Sequence, residues 1–393
     1  MKKVMYFLGG LVCCACLFIM YQHKNNSHDS KGSNTVLEDE NKQHADLSTE
    51  ISSEQKTVSW VNPSEIKEKI NDRLVFDAKV IISDEFTGGV FTDTQGTYLE
   101  YMDDYFYDFF TKEETVKEKM TYELLNRMNK KEQGVYYELT NGSTVCLYPM
   151  ELIYTRDEFS EQYCYVIDTS LTNTASYNAN MFSQEKDLSF QSRQAVMEVV
   201  LEFLGGMKFD RSHYVSRIYS LDFESIKEQY SRIFDWGFDD SIIDIREWQE
   251  EDEAYEICIW QEVQGLPVWT GKVAYYSIVD DSEAPIQATY RSDGFCEFRI
   301  KDMCEFRTGS NSYPLLTAEE IKDIIAEKYQ DILAEGTIVV KELQLCALAI
   351  NQGDGTCEIA PAWSCIYESD TGYNIVSSQI IYDARTGREI HEN

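Results

Sequence analysis

The chain has 393 residues, of which 69 are acidic and 35 basic, giving a formal net charge of −34. That field repels nucleic-acid phosphates and anionic lipid headgroups, so neither is an expected partner. It also repels anionic wall polymers unless divalent cations bridge them. With 43% hydrophobic and 13% aromatic residues, the chain has the material for two or three cored domains, and the acidity reads first as a solubilising surface.

Behind Met1-Lys2-Lys3, the run Val4 to Tyr21 carries no charge. As a helix it is ~27 Å long, close to the thickness of a bilayer core. Lys2 and Lys3 hold the near end in the cytoplasm, so the rest of the chain is expected on the extracytoplasmic face of the cell membrane. The run lacks the A-x-A-like exit of a cleaved signal. An uncleaved single-pass anchor over residues 1–21 is the main expectation, and a lipoprotein signal is the alternative. For lipid attachment the candidates are Cys16, which follows Ala15, and Cys14, which has Leu11 three residues before it. Residues 22–57 are rich in Asn, Ser, Lys, Glu and Gln and cannot bury enough apolar surface to offset chain entropy, so they read as a disordered tether.

Cys146, Cys164, Cys258, Cys296, Cys304, Cys346, Cys357 and Cys365 remain after the leader. Their even number outside a membrane suggests a disulfide framework. No two of these eight fall opposite one another in the hairpins proposed below, and none of them forms a C-x-x-C pair. Most are therefore expected to be buried thiols, with one or two bridges left open.

The folded chain is expected in three regions. In the first, 58–180, Ser64 to Ile70 reads as a short helix, Leu74 to Ile82 as a strand and Glu114 to Met128 as a helix. Asn141-Gly142 predicts a type I′ hairpin between 134–139 and 143–150, and Tyr163 to Ile167 reads as a strand. The second, 181–308, opens with a helix over Gln191 to Leu204, stopped by Gly205-Gly206. A strand over 214–221, a helix over 223–234 and a strand over 255–263 follow. Gly265-Leu266-Pro267-Val268 turns that strand into the next, and 285–291 pairs with 295–306 around Asp293-Gly294. The third, 309–393, starts on the capping box Thr317-Ala318-Glu319-Glu320, with Leu316 as its staple on Ile321. A helix to Leu333 and three strands, 337–350, 357–367 and 373–383, complete it. The fold class expected is α+β: tandem modules of antiparallel sheet with helices on one face.

Leu316-Thr317-Ala318-Glu319-Glu320 ahead of a helix, and Ile381-Tyr382-Asp383-Ala384-Arg385-Thr386-Gly387-Arg388-Glu389-Ile390 after a sheet, resemble the PepSY-like modules of exported bacterial proteins. Together with the Gly265-Leu266-Pro267-Val268 passage they also resemble extracytoplasmic YycH/YycI-type regulators and clostridial membrane-anchored proteins. The resemblance covers about residues 190–393 and does not reach 58–180. It implies a non-catalytic binding or regulatory role toward another envelope or membrane protein, and it carries over no functional residues.

Histidine limits the chemistry. His23, His28 and His44 lie in the tether and His391 in the tail, which leaves His213 as the body's sole histidine for a triad or a metal site. It has no G-x-S-x-G or similar nucleophile motif beside it and reads as structural or solvent-facing. Paired carboxylates are the remaining enzymatic route, because a glycosidase needs only two. Asp103, Asp104 and Asp108, set among Tyr101, Tyr105, Phe106, Tyr107 and Phe109, are the best such candidates; the simpler reading is an amphipathic helix with a solvated acidic face. Asp239, Asp240, Asp244, Glu247 and Glu250 to Glu253 lack the spacing of a calcium loop. No catalytic, cofactor-binding or metal residue is assigned and no cofactor is expected. The function expected is extracytoplasmic binding, with a carboxylate-dependent glycan hydrolase or carbohydrate-binding surface protein as the alternative.

Overall fold

The computed structural model describes residues 60–393, apart from 102–103, 113–114, 126–130, 158, 168, 170–177, 211, 236–246, 271–283, 330–335, 371–374 and 391–393. The anchor, the tether, Cys14 and Cys16 therefore lie outside the described residues. So do Asp103, Asp239, Asp240 and Asp244.

Among the described residues, sixteen strands and four α-helices are arranged as an α+β fold. Its centre is strand β9, Ala254–Val263, almost wholly buried on both faces. Ala254, Cys258 and Trp260 face one core, and Tyr255, Ile257 and Ile259 face another. A strand apolar on both faces belongs in the middle of a covered sheet. β9 pairs with β8 (Tyr214–Leu221) on one side and β11 (Ile286–Arg291) on the other. From β11 the sheet runs on through β12 (Gly294–Lys301), β7 (Glu151–Thr155), β6 (Thr144–Tyr148), β5 (Lys131–Leu139) and β4 (Val116–Leu125).

In the other direction β10 (Leu266–Thr270) leaves β9 by a two-residue turn and pairs in parallel with β14 (Thr337–Asn351). β14 also takes β2 (Leu74–Ile81) in parallel, and β2 carries β1 (Glu65–Lys69). Two parallel joints thus sit in an otherwise antiparallel sheet. β15 (Thr356–Asp370) follows β14 and pairs along its other edge with both β16 (Ile375–Asp383) and β3 (Val90–Tyr98). β13 (Cys304–Pro314) closes this end by pairing with β3.

The helices are α1 (Asp104–Thr111), α2 (Arg193–Gly206), α3 (Phe223–Asp235) and α4 (Ala318–Tyr329). α2 begins where Ser192 accepts a hydrogen bond from the Ala195 amide, and it buries Val196, Val200 and Leu204 under the β9–β11–β12 face. α4 begins on the expected box: Glu320 accepts from the Thr317 amide at 2.7 Å, and Thr317 Oγ1 accepts from the Glu320 amide at 3.3 Å. Its Ile321 and Ile325 pack on Phe76, Leu343 and Trp363 in a core that also includes the partly buried Leu316.

Several local expectations are corrected. Residues 64–70 form strand β1, because the alternating inward positions of β2 (Leu74, Phe76, Ala78, Val80) provide an edge that outweighs the helix propensity of Glu and Lys. Residues 116–125 are likewise strand, not helix: half-buried Met120 and Tyr122 alternate with exposed Lys119, Thr121 and Glu123 against β5. Tyr163 lies not in a strand but in a 3-10 turn, Ser160–Tyr165, where its hydroxyl donates to the buried Asp252 carbonyl at 2.6 Å. The strand expected from 295 to 306 breaks at Asp302, which stands at φ 52°, so β12 and β13 diverge there. The 141–142 hairpin forms, but only Gly142 has positive φ, so the turn is not type I′. The type I′ geometry occurs instead at Gln264 (φ 53°) and Gly265 (φ 83°), between β9 and β10.

Candidate binding groove

The β13–β3–β15 end of the sheet presents a groove of about 540 Å³, within the ordinary range for a ligand site. Its floor is a transverse row set by strand register. Arg307 of β13 lies opposite Gln95 of β3, which lies opposite Glu358 of β15. Strand alternation puts all three side chains on one face. The row continues into Arg385, on the turn after β16, whose guanidinium reaches Glu358 at 3.4 Å and Asp383 at 2.6 Å. The hydrogen bond to Asp383 is the main reason the Arg385 guanidinium is held even more firmly protonated than usual.

One wall comes from a break in β13. Register is lost between Thr308 and Ser312, and the intervening residues bulge so that Asn311 donates to Asp93 at 2.7 Å. Tyr313 follows, 37% exposed, with the Arg385 guanidinium 5.9 Å from its ring centre. Asp93 beside it pushes the Tyr313 phenol up from its ordinary range. Arg307 has no ion-pair partner among the described residues, so its guanidinium is available to an acceptor.

The far side of β3 is secured by Gln264. Its amide accepts from the Thr92 amide at 2.8 Å and donates to the Thr92 carbonyl at 2.8 Å, so one side chain imitates a neighbouring strand. Gly265 is required beside it, because a Cβ there would lie 2.6 Å from the Glu85 backbone.

None of the described sequence candidates lines this groove. Asp108 is exposed on α1, and the aromatics around it pack inward: Tyr107 on Tyr137 at 4.9 Å, Phe109 on Phe203 at 5.3 Å, Phe110 on Tyr154 at 5.6 Å. They are core, not a sugar platform. His213 is exposed and stands at φ 65°. Ser212 Oγ lies 2.8 Å from both His213 Nδ1 and Asp210 Oδ1, so one open turn holds the three side-chain types of a triad. Their arrangement is wrong for a triad, since Ser212 and the Asp210 carboxylate, 3.7 Å away, both face the same nitrogen of His213, which therefore cannot bridge them. In the acidic stretch, Glu247, Glu250 and Glu251 are exposed. Asp252 is buried, bonding the Gln249 amide and Arg291. Among the described residues no three candidate ligands are close enough together to hold a metal ion. No helix there is long and apolar enough to cross a membrane.

Sequence reasoning missed the groove because Asp93, Arg307 and Glu358 come from three separated parts of the chain. The one signal was Arg385, inside the Asp383-Ala384-Arg385-Thr386-Gly387 turn.

No known protein-family profile matches the chain, and no curated protein does. Among solved structures, an uncharacterised protein from Eubacterium rectale is similar, with a TM-score of 0.60 and 15% identity over 84% of this chain and 94% of that one. That likeness is one of fold. The Bacillus megaterium YpeB C-terminal domain matches with a TM-score of 0.27 and 11% identity, covering 74% of this chain and 96% of that one. YycH from Bacillus subtilis matches with a TM-score of 0.18 and 10% identity, covering 81% and 99%.

Proposed function

We propose that the chain is an extracytoplasmic protein, held at the cell membrane by residues 4–21, that works by binding another envelope protein through the β13–β3–β15 groove. The observation that carries this reading is the Arg307–Gln95–Glu358–Arg385 row, which puts the Arg307 guanidinium, without an ion-pair partner among the described residues, in the same open polar groove as the exposed Tyr313. Tyrosine and arginine are the residues that most often anchor protein interfaces.

The groove's two carboxylates favour binding over acid–base hydrolysis. Asp93 accepts from Asn311 and Glu358 pairs with Arg385, so both carboxylates are engaged by the groove's own side chains.

Photocrosslinking from position 313 in intact cells tests the role. One envelope protein should be captured, and Arg307→Glu should reduce its yield at least ~10-fold, as expected for reversing a charge at a central contact. Capture that Arg307→Glu leaves unchanged, or no capture at all, overturns it. Location is tested separately: protease added outside intact cells should digest the body, and full protection refutes the anchored arrangement.

A further inference from the structure

Two thiols from strands that do not pair with each other meet against the face of β3 opposite the groove. Cys304, at the start of β13, lies opposite Tyr98, and Cys357, the second residue of β15, lies opposite Gly96. Their sulfurs are 3.5 Å apart and both residues are buried. Gly96 lies between them. A Cβ at that position would be 2.5 Å from Cys357 Sγ and 3.2 Å from Cys304 Cβ, so a side chain there would drive the pair apart. A strand interior normally disfavours glycine, and the close approach of the two cysteines accounts for it here.

We propose that Cys304 and Cys357 form a dithiol–disulfide couple, oxidised by exchange with a disulfide-bearing oxidant so that β13 and β15 become covalently joined beneath the groove. The chemistry begins at Cys357, which accepts a hydrogen bond from Cys304 and is favoured as thiolate by Tyr98 and the Gly96 amide. The Cys357 thiolate attacks the oxidant's S–S bond, forming a mixed disulfide and releasing one thiolate. Cys304 then gives up its proton and attacks Cys357 Sγ, expelling the second thiolate. Two protein thiols are oxidised, one disulfide is reduced to two thiols, and no other co-reactant is needed.

Access and closure both come from β13, an edge strand whose ladder partner among the described strands is β3 alone, its first residue Cys304 being held on the other side only by the Gln261 side chain of β9, at 2.7 and 2.8 Å. Edge strands open locally at lower cost than central ones, which admits the oxidant to the buried sulfurs. Bond formation then draws the sulfurs in to ~2.05 Å, with β13 making the adjustment. Because Arg307 and Tyr313 lie on β13 and Glu358 follows Cys357, the bond would fix the spacing across the groove floor.

The test uses the full chain in detergent micelles, reduced and then equilibrated with oxidised glutathione. Free thiols are alkylated and the protein is digested without reduction for mass spectrometry. A linked peptide joining Cys304 to Cys357, two hydrogens lighter than its reduced parts, is expected. The thermal midpoint should rise by roughly 6 °C, and amide exchange over 304–314 should slow several-fold. Cys304→Ser and Cys357→Ser should each abolish all three changes. Mapping the wild-type protein decides the matter even if those variants fold poorly. Both thiols alkylated while exposed Cys164 has reacted with glutathione, or either one linked to a different cysteine, overturns the proposal.

Discussion

Glu256 shows how strongly a single position on β9 is governed by its surroundings. Burial pushes its carboxyl up to about 8, Glu297 adds to that rise, and the Thr289 hydroxyl, donating at 2.7 Å, opposes it. In the unfolded chain the same group ionises at its ordinary 4.5. Between the two values the unfolded state binds fewer protons than the folded one, so stability falls as pH rises from 4.5 to about 8 and levels off above. The whole effect is on the order of 5 kcal/mol. Glu256→Gln keeps an acceptor for Thr289 and removes the ionisation. Denaturant unfolding at pH 5 and pH 8.5 should show a shallower loss of stability in the variant than in the wild type; equal losses would contradict this account. Gly265 offers a second measurement. Gly265→Ala combines positive φ with contact on the Glu85 backbone and should cost more than ~2 kcal/mol. Gly353→Ala, also at positive φ (83°) but with open space around it, should cost ~1 kcal/mol. Midpoints that do not separate the two would argue against the close approach.

Helix α4 is held at the residues leading into its N-terminus and along its flank. Trp363 of β15 is fully buried and its indole N–H donates to the Leu316 carbonyl at 3.0 Å; Trp60 makes the corresponding bond to Leu315 at 3.2 Å. Trp363→Ala should lose 3–5 kcal/mol, roughly the range for large aromatics in packed cores, and guanidinium titration measures it. A loss under ~1 kcal/mol would show that the site collapses freely. Lys322 holds the flank, with Glu68 of β1 at 2.8 Å, Glu319 at 3.0 Å and Asp323 at 3.2 Å.

The same elements show what could be read from sequence alone. α2 was legible because Val196, Val199, Val200 and Phe203 recur at helical spacing ahead of Gly205-Gly206, and α4 because the Thr317–Glu320 box marks its start chemically. β9 and β14–β16 were legible because their apolar runs are too dense for anything but a covered sheet. β1 and β4 were not, since Glu and Lys on an edge strand look the same as on a solvated helix and only the partner strand decides between them. The groove was beyond reach for a related reason: its floor exists only through register between strands over two hundred residues apart in sequence.

For the whole molecule, a net charge of −34 makes ionic strength a determinant of stability. Like charges repel more in the compact state, and salt screens them over about 8 Å at physiological strength. The thermal midpoint should therefore rise between 20 mM and 500 mM sodium chloride; a midpoint that falls would mean that pairs such as Arg385–Glu358 outweigh the global repulsion.

The position of β3 has a consequence for synthesis. It belongs to the first hundred residues, yet both strands that flank it, β13 and β15, lie beyond residue 303. A growing polypeptide must carry β3 with both edges bare until almost all of it has been made, and the segments from 116 to 301 can pair with one another during that wait. The groove is thus among the last surfaces to be completed, and truncation anywhere before residue 356 removes at least one flanking strand and leaves a chain that cannot assemble it.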